Sequence, residues 1–542
     1  MASILSIFLS FSLLFIIDHR TWAAPSPQIQ EACKATRYPD TCATTLSDVK
    51  DIPPTPEPIQ IIHSAIQVSQ TGLKTSMTKL QALLQTSASN FNLSTNVRIS
   101  LETLRYADSR INSTGVALSQ GKIKTARAWM GAGISNQHGA LTGLAKYIND
   151  TTMVNETMQV LNSSTVLASN ALGMIRAYDL FGNQTVSWDT PKTERDGLWE
   201  ASPKQGSELW SLQFPQGLVP NVTVCKVGCD CSSVQQAVDR APPNNMTAEE
   251  AVDIAAVNRG KQFVILIKEG VYAEMVKVAF EKTNVVFLGE GIGKTVITGS
   301  LNVAMPNVTT RSSATLSVYG DGFMASNLTI ENSAEIDVQA VALLADSDRT
   351  LIENCAILGH QDTLYANALR QYYKSCQIEG TVDFIFGNAI AFFQDCTILV
   401  RPRVTTPEVG DQSAITAHSR MDPSQVSGFV FQNCVINGTD KYAELYRINP
   451  KVHNYFLGRP WREFARTVYI SCVMDIVCPE GWSKWVGDQG LQTLYYGEFN
   501  STGPAANPVG RVPWSNQIPP DHVASYSLQN FIQGSLEPAP AA

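Results

Sequence analysis

Two aspartates in the second half of the chain have the type and spacing of a catalytic pair. Asp362 and Asp383 are 21 residues apart, and each lies in a short polar break between apolar runs. Gln361 precedes the first aspartate, and Gln339 lies 22 residues before Gln361. If the chain winds with a period of about 20 residues, the four side chains fall on neighbouring coils and face one side. Stacked strands lie about 4.8 Å apart, so the two carboxyl groups are predicted to interact directly.

The chemistry predicted for this pair is acid and nucleophile catalysis. Like charges so close cannot both ionise cheaply, so the pair keeps one proton, and one group acts as an acid while the other remains an anion. Two carboxylates about 5 Å apart are also the arrangement of a retaining glycosidase. The two glutamine amides favour an esterase instead, because they can donate hydrogen bonds to the oxyanion of acyl transfer. A fixed charge at Arg459, in LGRPW, can keep the nucleophilic carboxylate ionised and oriented.

Aromatic side chains in these segments have two open interpretations. They can stack on sugar rings, or they can be ordinary packing along a groove, and the sequence favours neither interpretation over the other. The candidate substrate-binding aromatics are Tyr365, Phe386, Trp461 and Trp482.

A cysteine repeat predicts the elements that position the pair. An apolar residue, a polar residue or two, a cysteine and a second apolar residue recur around Cys355, Cys376, Cys396, Cys434 and Cys472. A β-rich repeat of about 20 residues without helices predicts a parallel β-helix, with one cysteine of each coil in a buried stack. Free cysteines pack well in such a stack. The pair Cys376–Cys396, one coil apart, is also a candidate disulfide.

The N-terminal half is predicted to be all-α. Apolar residues at helical spacing, beginning with Ile62, Ile66 and Leu73, form stripes that a four-helix bundle buries most simply. The predicted organisation is a signal peptide at 1–24, a four-helix bundle at 27–180, a linker at 181–220, an all-β catalytic domain at 221–533 and a disordered tail at 534–542.

Composition and targeting signals indicate a secreted protein. The 542 residues carry a formal net charge of −8, which provides no basic field for a nucleic-acid partner. The apolar run at residues 4–17 is shorter than the roughly 20 residues of a membrane span and indicates a signal peptide, so no membrane partner is expected after its removal. Because no Lys or Arg precedes this run, an uncleaved anchor is the alternative interpretation. Twelve Asn-x-Ser/Thr sequons and 11 cysteines agree with an oxidising, extracellular compartment. The seven histidines lack metal-ligand spacing, so we expect no metal or other cofactor. We also expect the protein to be a monomer.

Five blocks resemble, in order along the chain, the signature blocks of plant pectin methylesterases. They are GVYAE at 270–274, QAVAL at 339–343, QDTLY at 361–365, DFIFG at 383–387 and LGRPW at 457–461. The resemblance implies a right-handed parallel β-helix that hydrolyses methyl esters of homogalacturonan, the pectin backbone, in the cell wall without a metal.

The resemblance also implies a role for each matching residue. Asp383 is the nucleophile, and Asp362 is the proton donor and later the base. Gln361 and Gln339 stabilise the tetrahedral intermediate. The implied contacts with the nucleophile and the substrate are Arg459, Trp461 and, in TTRSSAT, Thr310.

Three positions depart from the family pattern beside these blocks. Arg311 stands where the family usually has an aromatic residue, Val338 replaces a histidine and His360 replaces a tyrosine. None of them removes a catalytic group. We expect all three to alter the groove and therefore the preferred methylation pattern.

The N-terminal half resembles the inhibitor-like pro-domain of many of these enzymes. Cys33 and Cys42 match its first disulfide, whereas Ser100 and Ala140 stand where the cysteines of its second disulfide would be. The dibasic processing site usually found between the domains is missing from TERDGLWEASP. Whether the bundle inhibits the enzyme in cis stays open. Two rival functions also remain: another polysaccharide-active β-helix enzyme, a glycosidase or lyase, and a non-catalytic inhibitor-type wall protein.

Overall fold

The part of the chain that the structure describes covers nearly all of both halves. The computed structural model describes residues 26–87, 89–148, 150–200, 209–244, 247, 250, 262–335, 337–405, 413–450 and 454–536. The signal peptide predicted at 1–24 lies outside the described residues, and so do residues 537–542 of the predicted tail. In the described ranges, no helix combines the length and the apolar character that crossing a membrane requires.

The N-terminal part of the chain is a helical bundle, as predicted. Its helices are α1 (Pro27–Cys33), α2 (Pro39–Ser47), α3 (Pro58–Thr86), α4 (Phe91–Ser119), α5 (Ile123–Leu144) and α6 (Thr152–Phe181). The four long helices form a closed ring, because α3 packs on α4, α4 on α5, α5 on α6 and α6 on α3. Their apolar stripes, including Ile62, Leu73 and Trp129, share one buried core, as expected for amphipathic helices of this length.

Local interactions fix the ends of the bundle. Asn90 caps α4, where its side-chain oxygen accepts a hydrogen bond from the Leu93 N–H at 3.0 Å and satisfies a donor that has no partner within the helix. The disulfide Cys33–Cys42, implied by the family resemblance, is confirmed and joins α1 to α2. Ser100 Oγ donates to the carbonyl oxygen of Ala140 at 3.4 Å. The two positions that lack the second disulfide are therefore neighbours that retain only a hydrogen bond.

The C-terminal part is a right-handed parallel β-helix, which confirms the predicted fold. In the described residues its strands form three parallel sheets. Sheet 1 contains Val222–Val224, Phe263–Ile267, Val285–Leu288, Met324–Ser326, Thr350–Glu353, Arg370–Lys374, Ile390–Gln394, Gly428–Gln432, Arg466–Ile470, Tyr495–Phe499 and Asn516–Gln517. Sheet 2 contains Gly270–Ala273, Thr295–Gly299, Thr329–Asn332, Ala356–Leu358, Gln377–Gly380, Thr397–Val400, Val435–Gly438 and Val473–Met474. Sheet 3 contains Val276–Val278, Leu316–Val318, Leu343–Asp346, Leu364–Ala368, Ile385–Gly387, Ser413–His418 and Tyr455–Pro460. Short helices accompany the coils at Val234–Arg240, Asp440–Ile448 and Leu528–Phe531.

A single-residue corner between sheets 1 and 2 explains the cysteine repeat. The residue before each repeated cysteine has a left-handed backbone, with φ between 51° and 54°, at Asn354, Ser375, Asp395, Asn433 and Ser471. Short polar side chains tolerate this conformation better than most residues because they can hydrogen-bond locally. The cysteine that follows each corner is buried in the core. The pattern of a polar residue followed by cysteine therefore encodes the bend of each coil.

The predicted disulfide Cys376–Cys396 is wrong. Both thiols are free and buried, and they occupy equivalent positions on successive coils. The two thiols are neighbours that interact, but their sulfur atoms are not bonded to each other. Each thiol lies instead against a carbonyl oxygen of the preceding coil: Cys376 Sγ is 3.4 Å from that of Ile352, and Cys396 Sγ is 3.5 Å from that of Tyr373.

Two further features of the β-helix were not predicted. A disulfide joins Cys225 to Cys229 near its first coil. The strand Trp210–Ser211, in the predicted linker, pairs in parallel with Gly534–Ser535. The prediction that a disordered tail begins at residue 534 is therefore wrong, because the backbone of the first two tail residues is held by strand pairing.

The helical bundle lies against the coils that carry the Asp362 and Asp383 segments. Trp129 Nε1 on α5 donates to Asp348 Oδ2 at 3.0 Å, and Asn388 Nδ2 donates to Ser135 Oγ on α5 at 2.7 Å. Both contacts are buried and join loops at the ends of sheet 3 strands to one helix. The position of the bundle relative to the groove is thus set by specific polar contacts.

Candidate active site

The two aspartates lie on neighbouring coils in the same register. Asp362 and Asp383 each stand two residues before a strand of sheet 3, and Leu364 is paired with Ile385 in those strands. Both have a left-handed backbone, with φ of 65° and 49°, a conformation that recurs at active sites. Asp362 is 8% exposed and Asp383 is 5% exposed. Neighbouring strands lie about 4.8 Å apart, so the structure brings the predicted pair together.

Arg459 binds only one member of the pair. Its Nε and Nη2 atoms donate to the two carboxylate oxygens of Asp383 at 2.7 and 2.6 Å. Such two-point contacts hold a carboxylate in one orientation and favour its charged form. The strand order of sheet 3 brings Arg459 to Asp383. Phe386, three residues after Asp383, pairs with Ala417, and Ala417 pairs with Arg459 on the next strand.

The different surroundings of the two carboxyl groups separate their protonation states. Burial raises the pKa of Asp362 well above its usual value, and the negative charge of Asp383 raises it further, against the smaller opposing effect of Arg459. Burial also raises the pKa of Asp383, but Arg459 opposes that rise through its charge and its hydrogen bonds. Of the two groups, Asp362 therefore holds a proton more readily, and a negative charge is more favourable on Asp383.

The two glutamines lie on the same side of adjacent coils. The backbone N–H of Ala340, next to Gln339, donates to the carbonyl oxygen of Gln361 at 3.1 Å, so these segments run side by side. The side chain of Gln361 hydrogen-bonds to Asp362 and favours its charged form. Both glutamines are partly exposed, so their amides are accessible beside the carboxyl pair.

An aromatic surface extends from the aspartates along sheet 3. Tyr365 and Phe386 are paired in neighbouring strands, and their rings stack with centroids 4.2 Å apart. The ring centroid of Trp461 lies 6.0 Å from that of Phe386 and 6.5 Å from that of Trp485. Trp485 also lies beneath the guanidinium of Arg459, at 4.6 Å. The sequence analysis missed Trp485, although its place three residues after Trp482 in GWSKW was a usable signal.

The predicted substrate contact of Trp482 is wrong. Trp482 is only 1% exposed and belongs to the interior core of the β-helix. Its ring stacks on Tyr496 at 4.2 Å, and its Nε1 donates to Glu498 at 3.2 Å. A tryptophan with its polar atom satisfied inside the core is a packing residue and does not face the groove.

Thr310 and Arg311 lie in the turn before the sheet 3 strand Leu316–Val318. Thr310 is partly exposed, and the guanidinium of Arg311 lies 5.9 Å from the Tyr365 ring. Arg311 Nη2 donates to Asp346 Oδ2 at 3.0 Å. The residue that replaces the usual aromatic therefore places a positive charge next to the aromatic surface.

Among the described residues, no group of three or more His, Cys, Asp or Glu side chains is arranged to hold a metal ion. The groups that converge on the site are two carboxyl groups in different electrostatic surroundings, two amides and a guanidinium. This set can attack an acyl carbon, stabilise an oxyanion and protonate a leaving group.

Comparisons with known proteins match both halves of the chain. The family profile "Pectinesterase" matches residues 222–535, and the profile "Plant invertase/pectin methylesterase inhibitor" matches residues 27–174. A probable pectinesterase/pectinesterase inhibitor of Arabidopsis thaliana is 51% identical over 516 residues, which cover 93% of this chain and 83% of the relative. Pectinesterase 2 of Citrus sinensis is 38% identical over 299 residues, which cover 54% of this chain and 56% of the relative. The structure of pectin methylesterase from carrot superposes with a TM-score of 0.53 at 37% identity, over 59% of this chain and 95% of the carrot chain.

Proposed function

Since the chain belongs to the pectinesterase family and is a carboxylic ester hydrolase with an inhibitor-like domain, we propose that it hydrolyses methyl esters of homogalacturonan at the Asp362–Asp383 site. The products are methanol and free carboxylates on the pectin chain. The observation that carries this assignment is the asymmetry of the pair. Arg459 holds Asp383 as an oriented anion, while Asp362 on the next coil retains a proton.

The first half of the reaction forms an acyl-enzyme. A carboxylate oxygen of Asp383 attacks the ester carbonyl carbon, and the resulting oxyanion accepts hydrogen bonds from the amides of Gln339 and Gln361. Asp362 gives its proton to the methoxy oxygen as the carbon–oxygen bond breaks, so methanol leaves as a neutral molecule. The galacturonate acyl group is then joined to Asp383 as an anhydride.

The second half reverses these roles. Asp362, now an anion, takes a proton from a water molecule that attacks the anhydride carbonyl. The bond to Asp383 breaks, and Asp362 again holds a proton. The pectin carboxylic acid leaves and loses its proton to the solvent. Arg459 favours this step because it stabilises the departing Asp383 carboxylate. The aromatic side chains of Tyr365, Phe386 and Trp461 are proposed to hold the sugar rings along the groove.

Replacing the nucleophile tests this assignment. Asp383→Asn keeps the shape of the side chain but removes its negative charge, so we expect methanol release from methylated pectin to fall by about 10³-fold or more. Methanol and new reducing ends should be measured in the same reaction. Asp488→Asn, at an exposed carboxylate outside the groove, is the matched control and should retain full activity. Methanol release that survives Asp383→Asn contradicts the assigned nucleophile, and new reducing ends without methanol would favour a glycosidase or lyase.

The helical bundle is proposed to suppress this activity in cis. Three contacts of α4 and α5 with the β-helix support the idea. Arg110 on α4 forms a two-point ion pair with Asp321, with both distances 2.6 Å. Tyr106 on α4 stacks on Phe280 at 5.1 Å, and Trp129 on α5 contacts the loop after a sheet 3 strand. A pectin chain lying along sheet 3 would have to displace these helices.

The site of action is proposed to be the cell wall. The predicted signal peptide and the sequons support secretion, and several sequon asparagines are exposed, among them Asn112, Asn221, Asn307 and Asn500. Pectin is then the substrate that the protein meets, and we propose that it acts as a monomer.

A further inference from the structure

Two positively charged side chains, Lys277 and Arg311, lie near the ring of Tyr319 in the first coils of sheet 3. Lys277 Nζ lies 5.4 Å from the ring centroid of Tyr319, and the guanidinium carbon of Arg311 lies 5.7 Å from it. Phe280 follows the Lys277 strand and lies in the same aromatic cluster. We call Lys277, Phe280, Arg311 and Tyr319 the basic platform. None of these four residues has a role in the proposed chemistry.

The strand register aligns the basic platform with the catalytic pair. Lys277 pairs with Ser317, Ser317 with Leu344, and Leu344 with Tyr365. Tyr365 belongs to the coil of Asp362. Three strand spacings of about 4.8 Å place Lys277 roughly 14 Å along the groove from that coil. A polymer lying along sheet 3 therefore reaches the platform while one of its esters is at the aspartates.

Arg311 retains an unused hydrogen-bond donor. Its Nη2 atom donates to Asp346, but its buried Nη1 atom has no hydrogen-bond partner among the described residues. A buried N–H group without an acceptor is unfavourable, so a second acceptor beside Arg311 would be stabilised. The cation–ring contacts of Arg311 with Tyr319 and Tyr365 direct it toward the groove.

A carboxylate of the bundle already lies on the basic platform. Glu102 Oε1, on α4, accepts hydrogen bonds from Lys277 Nζ at 2.5 Å and from the Tyr106 hydroxyl at 2.8 Å. The Tyr106 ring stacks on Phe280 at 5.1 Å and lies 5.0 Å from Tyr319. Tyr106 supplies a ring that packs on aromatic side chains, and Glu102 supplies a carboxylate at the edge of that ring. A galacturonate unit presents the same two groups, because it is a sugar ring with a carboxylate.

We propose that the basic platform is a binding subsite for the free carboxylate of an already de-esterified galacturonate, and that Glu102 and Tyr106 of α4 occupy this subsite in cis. The inference rests on the pectin substrate proposed above and identifies the part of that substrate that competes with the bundle. It predicts that the catalytic groove favours esters that lie a few sugar units from existing free carboxylates. It also assigns a function to the arginine that replaces the usual aromatic residue.

The test is equilibrium binding of unmethylated hexagalacturonate to the full-length chain, measured by calorimetry. Glu102→Gln should raise the affinity about 10-fold, because it removes the competing carboxylate. Adding Lys277→Gln to Glu102→Gln should lower the affinity again by about 10-fold. Arg311→Gln is combined with Asp346→Asn, so that no buried carboxylate is left without its partner, and should have the same effect. Arg311→Lys in the Glu102→Gln background should retain part of the affinity.

Matched variants separate the subsite from a general charge effect. Glu156→Gln on α6 changes the net charge as Glu102→Gln does, and Lys268→Gln on the β-helix changes it as Lys277→Gln does. Glu156 pairs with Lys79 and Lys268 pairs with Glu290, and none of these residues belongs to the basic platform. Both should leave hexagalacturonate binding unchanged. The proposal is overturned if Glu102→Gln binds no more tightly than Glu156→Gln, or if Lys277→Gln acts no more strongly than Lys268→Gln. It is also overturned if Arg311→Gln/Asp346→Asn, which leaves the net charge unchanged, does not lower the affinity of Glu102→Gln. Hexagalacturonate contains no ester, so these results remain interpretable even if the Asp383 assignment fails.

Discussion

At the residue scale, one ion pair makes two chemically identical side chains different. Asp362 and Asp383 have the same register, similar backbone angles and similar burial. Only Asp383 receives the two-point contact of Arg459, so a negative charge is stabilised there. The negative charge of Asp383 in turn raises the pKa of Asp362. The proposed division into acid and nucleophile therefore depends on a residue that lies 76 positions away from Asp383 in the sequence.

The raised pKa of Asp362 predicts a pH-dependent effect on stability. The folded state binds this proton more tightly than the unfolded state, so the stabilisation is complete below the usual aspartate pKa of about 3.9 and is lost as pH rises through the raised pKa. Asp362→Asn removes the ionisation. We expect it to raise the midpoint of thermal unfolding at pH 7 by about 1–3 °C, and this gain should shrink to nothing as pH falls toward about 4.

Calorimetry across that pH range, with Asp488→Asn as an exposed control, measures the effect. A loss of stability in Asp362→Asn that is the same at every pH would mean that hydrogen bonding, rather than the burial of a charge, dominates at this position.

At the scale of elements, five successive coils share a corner and a buried cysteine, and four of them also share an aromatic stack. A polar residue with left-handed backbone bends the chain from sheet 1 to sheet 2, and a buried cysteine follows it. Inside sheet 1, the rings of Tyr373, Phe393, Phe431 and Tyr469 stack at 4.7, 4.5 and 4.6 Å in successive coils. Like side chains stacked at equivalent positions favour one strand register. The aromatic stack ends at Tyr373, which pairs with Ile352 on the coil of Asp362. The register beside the aspartates therefore depends on strand pairing, such as that of Leu364 with Ile385.

The free cysteine stack predicts a thiol count. The chain unfolded without reductant should react with seven equivalents of a thiol reagent, one for each free cysteine, whereas five would indicate that Cys376 and Cys396 are bridged. In the folded protein we expect slow reaction at Cys478 alone, because the other free thiols are buried. Burial raises the pKa of Cys478 to about 12, so its side chain stays protonated, and a protonated thiol reacts more slowly than a thiolate. Cys478→Ser should abolish the reaction of the folded protein, and six thiols should remain on unfolding.

At the scale of the whole molecule, the bundle and the β-helix form one polar and aromatic interface. The ion pair Arg110–Asp321 is almost buried, with the arginine side chain 5% exposed, and its charges attract strongly only because water is excluded. Glu102 and Tyr106 lie on the same helix as Arg110 and contact the basic platform. Loosening the ion pair should therefore free the groove.

Weakening the interface should activate the full-length enzyme. We expect Arg110→Ala/Asp321→Asn, which leaves no unpaired charge, to increase methanol release from methylated pectin by about 5- to 10-fold, since losing a close ion pair at an interface weakens association by about 1.5 kcal/mol or more. Arg98→Ala, at an exposed position of the same helix, is the matched control and should leave the rate unchanged. Equal rates for the wild type and both variants would show that this interface does not limit activity.

The sequence by itself determined the local periodicities and the chemistry that depends on them. The cysteine spacing predicted a β-helix, the helical stripes predicted a bundle, and the offset between Asp362 and Asp383 placed both carboxyl groups on one side. These inferences succeeded because each depends on a repeat that acts over one turn of chain, which residue spacing reports directly.

Only the tertiary structure decided which way side chains point and what covers them. Phe386 lies inside the block DFIFG, and Trp482 lies 21 residues after LGRPW. Trp482 packs in the interior core, whereas Phe386 packs with Tyr365 and Trp461 in the aromatic cluster beside the aspartates. Cys376 and Cys396 lie one coil apart, as the predicted disulfide requires, but both thiols are free in the folded chain. The contact of Glu102 and Tyr106 with the basic platform joins residues more than 170 positions apart. Such contacts depend on how two separate domains pack together, and no local period in the chain encodes that packing.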